Sequence, residues 1–157
     1  MKHLRFVVLF LLFTWLFAAC GSVSPNAERD TAEAAMRQYF TALAQADYAK
    51  AIKLYGGSYE VLQDNNPDVD STDKPTLWQR GCEQNGLQCL PIRTVLAARL
   101  LSNSSYQFEV EFSTHSGELF QQGPCCGDVG QPNVRFTYTV SKQDGTWKVQ
   151  ELPPYIP

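Results

Sequence analysis

The sequence predicts an α+β domain, with N-terminal helices packed on one face of a curved antiparallel sheet of about four strands. Apolar residues recur at helical spacing through the first half of the chain and alternate in and out from Ile92 onward. Asp144-Gly145, between two alternating segments, is a strong type I′ hairpin signal near the C-terminus.

The elements follow in order. Ser24-Pro25 reads as an N-cap followed by proline at the first helical position. Ala32, Ala35, Met36, Tyr39, Phe40 and Leu43 then form one apolar stripe, which reads as core and not as a cofactor box. Asp47 caps a second helix that turns Ala51, Ile52 and Tyr55 inward and ends at Gly56-Gly57. A polar stretch runs from Gln63 to Asp73, and Pro75 opens a third short helix carrying Leu77 and Trp78. In the strands, Tyr106, Phe108, Val110 and Phe112 alternate with Gln107, Glu109 and Glu111, and the preceding strand offers Ile92, Leu96, Ala98 and Leu100. A three-residue loop at Ser102-Asn103-Ser104 sets those two faces opposite each other, whereas a two-residue loop would put Arg99 opposite Phe108. The longer loop places Arg99 diagonal to Glu109 and Arg93 diagonal to Glu111, as structural pairs on the outer face. The final hairpin pairs Val140 with Val149 and Tyr138 with Glu151. Val134, Phe136, Tyr138 and Val140 share a face that Trp147 and Val149 continue.

The N-terminus carries a separate message. Lys2, His3 and Arg5 form a basic start, Phe6 to Phe17 an apolar stretch, and Ala18-Ala19 a small-residue cleavage site before Cys20. The apolar run ends after about 14 residues, short of the ~20 that cross a bilayer as a helix. An uncleaved anchor and a soluble-secretion signal are the alternatives. Leu16-Phe17-Ala18-Ala19-Cys20 resembles the lipobox of bacterial lipoproteins, in which cleavage precedes a lipid-bearing cysteine. Phe17 departs from the leucine usual in that motif. The resemblance implies a signal peptide over 1–19, a lipidated tether over 20–27 and one domain over 28–157. It also implies an extracytoplasmic protein held to the cell membrane or outer membrane through the lipid on Cys20. Two acyl chains make such anchoring stable where one is marginal. Without the leader, 11 basic side chains face 16 acidic ones over 138 residues, a net of −5. No basic cluster remains, so nucleic acid is not an expected partner, and only the lipid is expected to touch the bilayer.

Tyr39-Phe40-Thr41-Ala42-Leu43, Ala46-Asp47-Tyr48-Ala49-Lys50-Ala51, Leu54-Tyr55 and the closing Asp144-Gly145-Thr146-Trp147-Lys148-Val149 resemble the nuclear transport factor 2-like superfamily. These loose patterns span most of the chain after the leader. The resemblance implies a cone: a strongly bent sheet around helices, with a pocket at its open end. That superfamily includes isomerases, dehydratases, cyclases and non-enzymatic proteins, so the fold alone does not choose between chemistry and binding.

Four cysteines remain besides Cys20: Cys82, Cys89 and the adjacent Cys125-Cys126. An even number behind an export signal favours disulfides. The first strand hairpin brings the segment near Cys89 and the loop after Thr114 to one sheet end. Cross-pairing of Cys82 and Cys89 with the vicinal pair is therefore the favoured arrangement, pinning the loop from Ser116 to Pro132. A Cys82–Cys89 bridge is the alternative. Gaps of six residues and none do not suit the Cys-x₂₋₄-Cys spacing of zinc sites. Asp68-x-Asp70-x-x-Asp73 lacks the glycine and terminal glutamate of an EF-hand loop and reads as a solvated acidic loop. Neither metal nor cofactor is expected.

Catalytic candidates are three: Glu151 with Tyr138 as an acid–base pair, and His115, the one histidine after the leader, at a strand end. No nucleophile elbow, phosphate-binding glycine loop or His-Glu-x-x-His helix is present. The sequence thus favours a non-catalytic domain that binds an envelope protein or a small apolar ligand. A membrane-tethered enzyme of the isomerase or dehydratase kind is the alternative.

Overall fold

The computed structural model describes residues 25–123 and 130–156. The leader, Cys20 and the Cys125-Cys126 pair lie outside the described residues. Among the described residues, four helices, α1 (Pro25–Ala44), α2 (Tyr48–Leu54), α3 (Glu60–Asp64) and α4 (Lys74–Glu83), precede four strands. The strands β1 (Ile92–Ser102), β2 (Ser105–Phe112), β3 (Phe136–Gln143) and β4 (Thr146–Val149) form an antiparallel meander in the order β1-β2-β3-β4. This is the α+β architecture of helices on a curved, cone-like sheet. No described helix is long and apolar enough to cross a membrane.

Helix α1 begins at Pro25, so residues 25–27, assigned above to the tether, are helical. Its stripe is buried as expected at Ala32, Met36, Tyr39, Phe40 and Leu43, and Ala42 joins it. Asp47 caps α2 by accepting the Lys50 N–H at 3.1 Å. The end of α2 differs from expectation. No left-handed glycine closes it; Tyr55 turns extended (φ −97°, ψ 132°) and bridges in parallel to Val149. The glycines serve close approach instead. The Gly56 N–H donates to the Val149 carbonyl at 2.8 Å, and a Cβ on Gly57 would strike the Gln150 carbonyl and the Tyr55 hydroxyl.

Just ahead of the polar stretch, and overlapping it only at Gln63 and Asp64, lies the single-turn helix α3, which buries Leu62. Asn66 is buried and donates from Nδ2 to the Leu62 carbonyl at 2.7 Å, and Gln63 Nε2 donates to the Val69 carbonyl at 2.8 Å. These polar side chains satisfy local backbone, so polarity here marks order and not solvent. Asp73 caps α4 through the Thr76 N–H, with Leu77 and Trp78 wholly buried.

In the sheet, β2 alternates without fault, and Ala98 faces Phe108 and Leu100 faces Tyr106 as expected. The turn, however, is the two residues Asn103-Ser104 between paired Ser102 and Ser105, and a bulge at Leu101 rather than a three-residue loop sets the register. A bulge between Val95 and Ala97 corrects the rest: Val95, not Leu96, opposes Val110, and Leu96 stands exposed. The expected outer-face pairs also differ. Arg99 donates to Gln107 Oε1 at 2.9 Å and Arg93 to the Gly117 carbonyl at 2.9 Å, while Glu109 has Arg135 at 3.8 Å. The last hairpin turns through Asp144 (φ 49°) and Gly145 (φ 78°), both left-handed as type I′ demands, and pairs Val140 with Val149.

Gly57→Ala is expected to cost about 2 kcal/mol or more through the blocked approach to Gln150, and Asp47→Ala about 1 kcal/mol through the lost cap. Urea unfolding, with midpoints compared at equal slope, checks both the size and the order of these effects.

Candidate functional site

The interior of the cone is built from rings. Phe40 packs edge-on against Phe112 at 4.9 Å and Tyr138 at 4.7 Å, while Tyr39 lies 5.9 Å from both Tyr55 and Trp78. Tyr59 completes the group, its hydroxyl accepting from Trp78 Nε1 at 3.3 Å, and the Tyr55 hydroxyl donates to the Ser58 carbonyl at 2.7 Å. The Tyr39 hydroxyl is buried without a partner among the described residues. Burial pushes the phenols of Tyr39, Tyr55 and Tyr138 well above their ordinary 10.0, and the nearby charge of Glu151 adds to the rise in each. They remain protonated and cannot act as bases.

Glu151 and Tyr138 do come within each other's field, but not as the expected strand pair. Strand β4 ends at Val149, and Glu151 Oε2 accepts the Thr139 N–H at 2.7 Å, while Thr139 O accepts the Gln150 N–H at 3.0 Å. The carboxylate thus closes the end of the sheet ladder. Tyr138 is buried, at 3% exposed. His115 is exposed and borders a different depression, of about 250 Å³, which Leu43, Tyr48, Cys82, Glu83 and Cys89 also line. The three catalytic candidates are therefore not brought together.

The cysteine expectation is corrected. Cys82, on the last turn of α4, is bonded to Cys89, their Cα atoms 5.5 Å apart, instead of reaching the vicinal pair. The chain reverses between them at Gly86 (φ 79°), which brings the two together locally. The bridge closes a seven-residue separation, worth about 2.5 kcal/mol in the chain-entropy model. The acidic run is likewise absorbed locally. Asp68 takes Arg80 on both oxygens at 2.7 and 2.8 Å, Asp70 accepts from the Thr72 N–H and hydroxyl, and Asp73 caps α4. Arg80 holds the Asp68 carboxyl below its usual range, and Thr72 does the same for Asp70. No cluster of metal-ligating side chains occurs among the described residues.

The feature that sequence reasoning missed is an apolar groove of about 290 Å³ between α3, α4 and the C-terminal tail. Val61, Leu62, Leu87, Leu152, Pro153 and Tyr155 wall it, and the Asn85 amide nitrogen is buried beside it without a partner among the described residues. The tail is held against the disulfide loop by the Gln88 N–H on the Pro154 carbonyl at 2.7 Å and the Ile156 N–H on the Gly86 carbonyl at 3.0 Å. Val61 and Tyr155 keep about half their surface exposed at its rim, at 53% and 48%. An apolar lining with one orphaned donor suits an apolar group that brings a hydrogen-bond acceptor. The sequence signals were Val61-Leu62 inside a polar region and the apolar run Leu152-Pro153-Pro154.

The sequence matches no family model and no curated protein. Solved structures similar to it include an NTF2-like protein of unknown function from Shewanella oneidensis MR-1, 14% identical over 79% of this chain and 95% of that chain, with a TM-score of 0.41. An NTF2-like family protein from Streptomyces avermitilis, named as a candidate dehydratase, is 10% identical over 85% of this chain and 100% of that chain, with a TM-score of 0.45. A candidate calcium/calmodulin dependent protein kinase II association domain from Xanthomonas campestris is 16% identical over 89% and 94%, with a TM-score of 0.40. Likenesses this distant say nothing of activity.

A tryptic digest without reduction is expected to release residues 81–93 as a single peptide lighter by two hydrogens than its reduced form, since no Lys or Arg separates Cys82 from Cys89. Linkage of that peptide to residues 100–135 would establish cross-pairing instead. The phenols give a second test. Their folded titration lies above the unfolded 10.0, so the stability they contribute is whole below that pH and falls as pH rises through their folded values. Urea midpoints are expected to hold steady to about pH 10 and then decline, less steeply in Tyr138→Phe.

Proposed function

We propose that the protein is a lipid-anchored extracytoplasmic binding protein, whose domain recognises an envelope protein through the groove between α3, α4 and the tail. The observation that carries this reading is the contrast between the centre of the cone and the peripheral groove. The centre of the cone, where a nuclear transport factor 2-like domain would hold its pocket, is packed with the chain's own rings. The peripheral groove is open, apolar and furnished with one unpaired donor. Its volume fits one or two apolar side chains, and a partner's backbone carbonyl would satisfy the Asn85 amide. The lipobox-like leader supports the compartment, and the Cys82–Cys89 bridge agrees with an oxidising one.

The catalytic alternative rests on Glu151 and the phenols around it. It requires an acid or base free to reach a substrate, whereas one of the two Glu151 oxygens, Oε2, is engaged by the Thr139 N–H and the carboxylate is held at the end of the sheet.

Incorporation of labelled palmitate in an expressing bacterium is expected to disappear in Cys20→Ser. A photo-crosslinking residue at Val61 should then give one discrete protein adduct in intact cells, removed by Leu152→Glu, while the same residue at Glu111 gives none. A small organic adduct on the purified domain in native mass spectrometry would make the ligand a small molecule instead. Loss of the cellular phenotype in a folded Glu151→Gln variant would replace binding with catalysis.

A further inference from the structure

The hairpin tips of the sheet carry two leucines that the fold leaves uncovered. Leu100 and Leu101, at the end of edge strand β1, are 53% and 45% exposed. Leu100 lies on the core side of the sheet, opposite Tyr106, yet nothing buries it. Leu101 is the extra residue of the bulge between Leu100 and Ser102.

The same tip adjoins the first turn of α1. The Lys142 N–H donates to the Ser104 carbonyl at 2.8 Å, joining the β1–β2 turn to β3, and the Ser105 and Ser141 hydroxyls meet at 2.9 Å. From this junction Lys142 Nζ reaches both oxygens of Glu28 at 3.3 Å. Glu28 stands one turn from Pro25, where the described chain starts. Four residues, Gly21 to Ser24, separate Pro25 from Cys20, and fully extended they span at most about 18 Å from Cα to Cα. A lipid on Cys20 therefore holds the tip end of the domain close to the headgroups, whatever path the four residues take.

We propose that the occupant of this uncovered apolar tip is the bilayer itself: Leu100 and Leu101 insert into the headgroup–acyl boundary beside the lipid anchor. The proposal rests on the anchoring reading above. Apolar side chains at a loop tip enter that boundary readily when a covalent anchor has already brought them there. Around the tip, Arg29 is paired with Asp30 and Lys142 with Glu28; the exposed Asp144 on the neighbouring hairpin turn is the charge that must stay in the headgroup water. The net acidity of the chain is spread over the whole domain, and the contact needs no basic patch. A consequence is a fixed orientation. Helix α1 runs from this tip to Leu43 and Ala44, which border the second depression, and Leu87 lines both that depression and the apolar groove. The groove then faces away from the membrane.

The test uses the full lipidated protein in vesicles of phosphatidylethanolamine and phosphatidylglycerol with brominated acyl chains, which quench nearby tryptophan. Leu101→Trp and Val61→Trp each add one tryptophan at an exposed apolar position, one at the tip and one at the rim of the groove. Emission added by Leu101→Trp is expected to be lost in brominated vesicles and kept in unbrominated ones, while that added by Val61→Trp is the same in both. Vesicle flotation separates the two readings. A protein that fails to float, with no acyl mass on Cys20, overturns the anchoring and this contact together. A protein that floats with Leu101→Trp unquenched, or with Val61→Trp quenched equally, overturns the contact and orientation alone. Amide exchange of residues 99–106, slower on vesicles than in Cys20→Ser, is the expected companion result; equal rates count against the contact.

Discussion

Two neighbouring rings on α1 hold the layers of this domain together. Tyr39 and Phe40 lie one residue apart, about 100° around the helix, so they leave it in different directions. Phe40 meets the sheet through Phe112 and Tyr138, and Tyr39 meets the helical layer through Tyr55 and Trp78. Each aromatic contact is worth about 0.5–1.5 kcal/mol beyond the area it buries. The arrangement matters more than the sum. A single helix bonded to both sides lets the short helices α2 and α4 pack on a scaffold that already exists, although neither is long enough to be stable alone.

That solution uses up the interior. Rings that clamp the layers occupy the volume in which a cone would hold a ligand, and their burial keeps the phenols protonated. The remaining concavity lies at the periphery, where backbone without a regular partner is paired individually. The turn after α4 is closed by a short disulfide and stitched to the tail through Gln88 and Ile156. The groove is the space left between that stitched loop and α3. The loop that long cross-bridges were expected to pin has other attachments: the Phe120 ring lies 5.7 Å from Phe136, and Gln122 Nε2 donates to the Tyr155 carbonyl at 2.6 Å.

The regular parts of this fold were legible because one periodicity governs each. The stripe of α1, the caps Asp47 and Asp73, the alternation of β2 and the Asp144-Gly145 turn all depend on residues within a few positions of one another. What was not legible depends on distant partners. Gly56 and Gly57 look like a helix stop in sequence, but their smallness answers to Val149 and Gln150, nearly a hundred residues away. Helix α3 was hidden because a single turn is too short to show a period, and Gln63 within it and Asn66 just after it are polar yet serve buried backbone. The bulge that exchanges Leu96 for Val95 comes from sheet curvature, which alternation does not encode. The cysteine pairing went astray for the opposite reason: the distant partner was favoured where a local turn sufficed. The groove was illegible because its walls come from three segments with no shared period.

The length of α1 separates the two ends of the domain to which the proposals above assign different work. Twenty residues of helix span about 30 Å, from the hairpin tips near the proposed anchor to the depressions around the disulfide. Screening at physiological salt weakens charge effects e-fold over about 8 Å, so under the proposed anchoring the headgroup potential would not reach the groove, and a partner there would be selected by the groove's own apolar walls and by Asn85. A long flexible tether would let the domain tumble and bring the groove toward the lipid. Four residues cannot. The short tether and the rigid helix together would convert a lipid on one residue into a defined direction for the opposite end of the molecule.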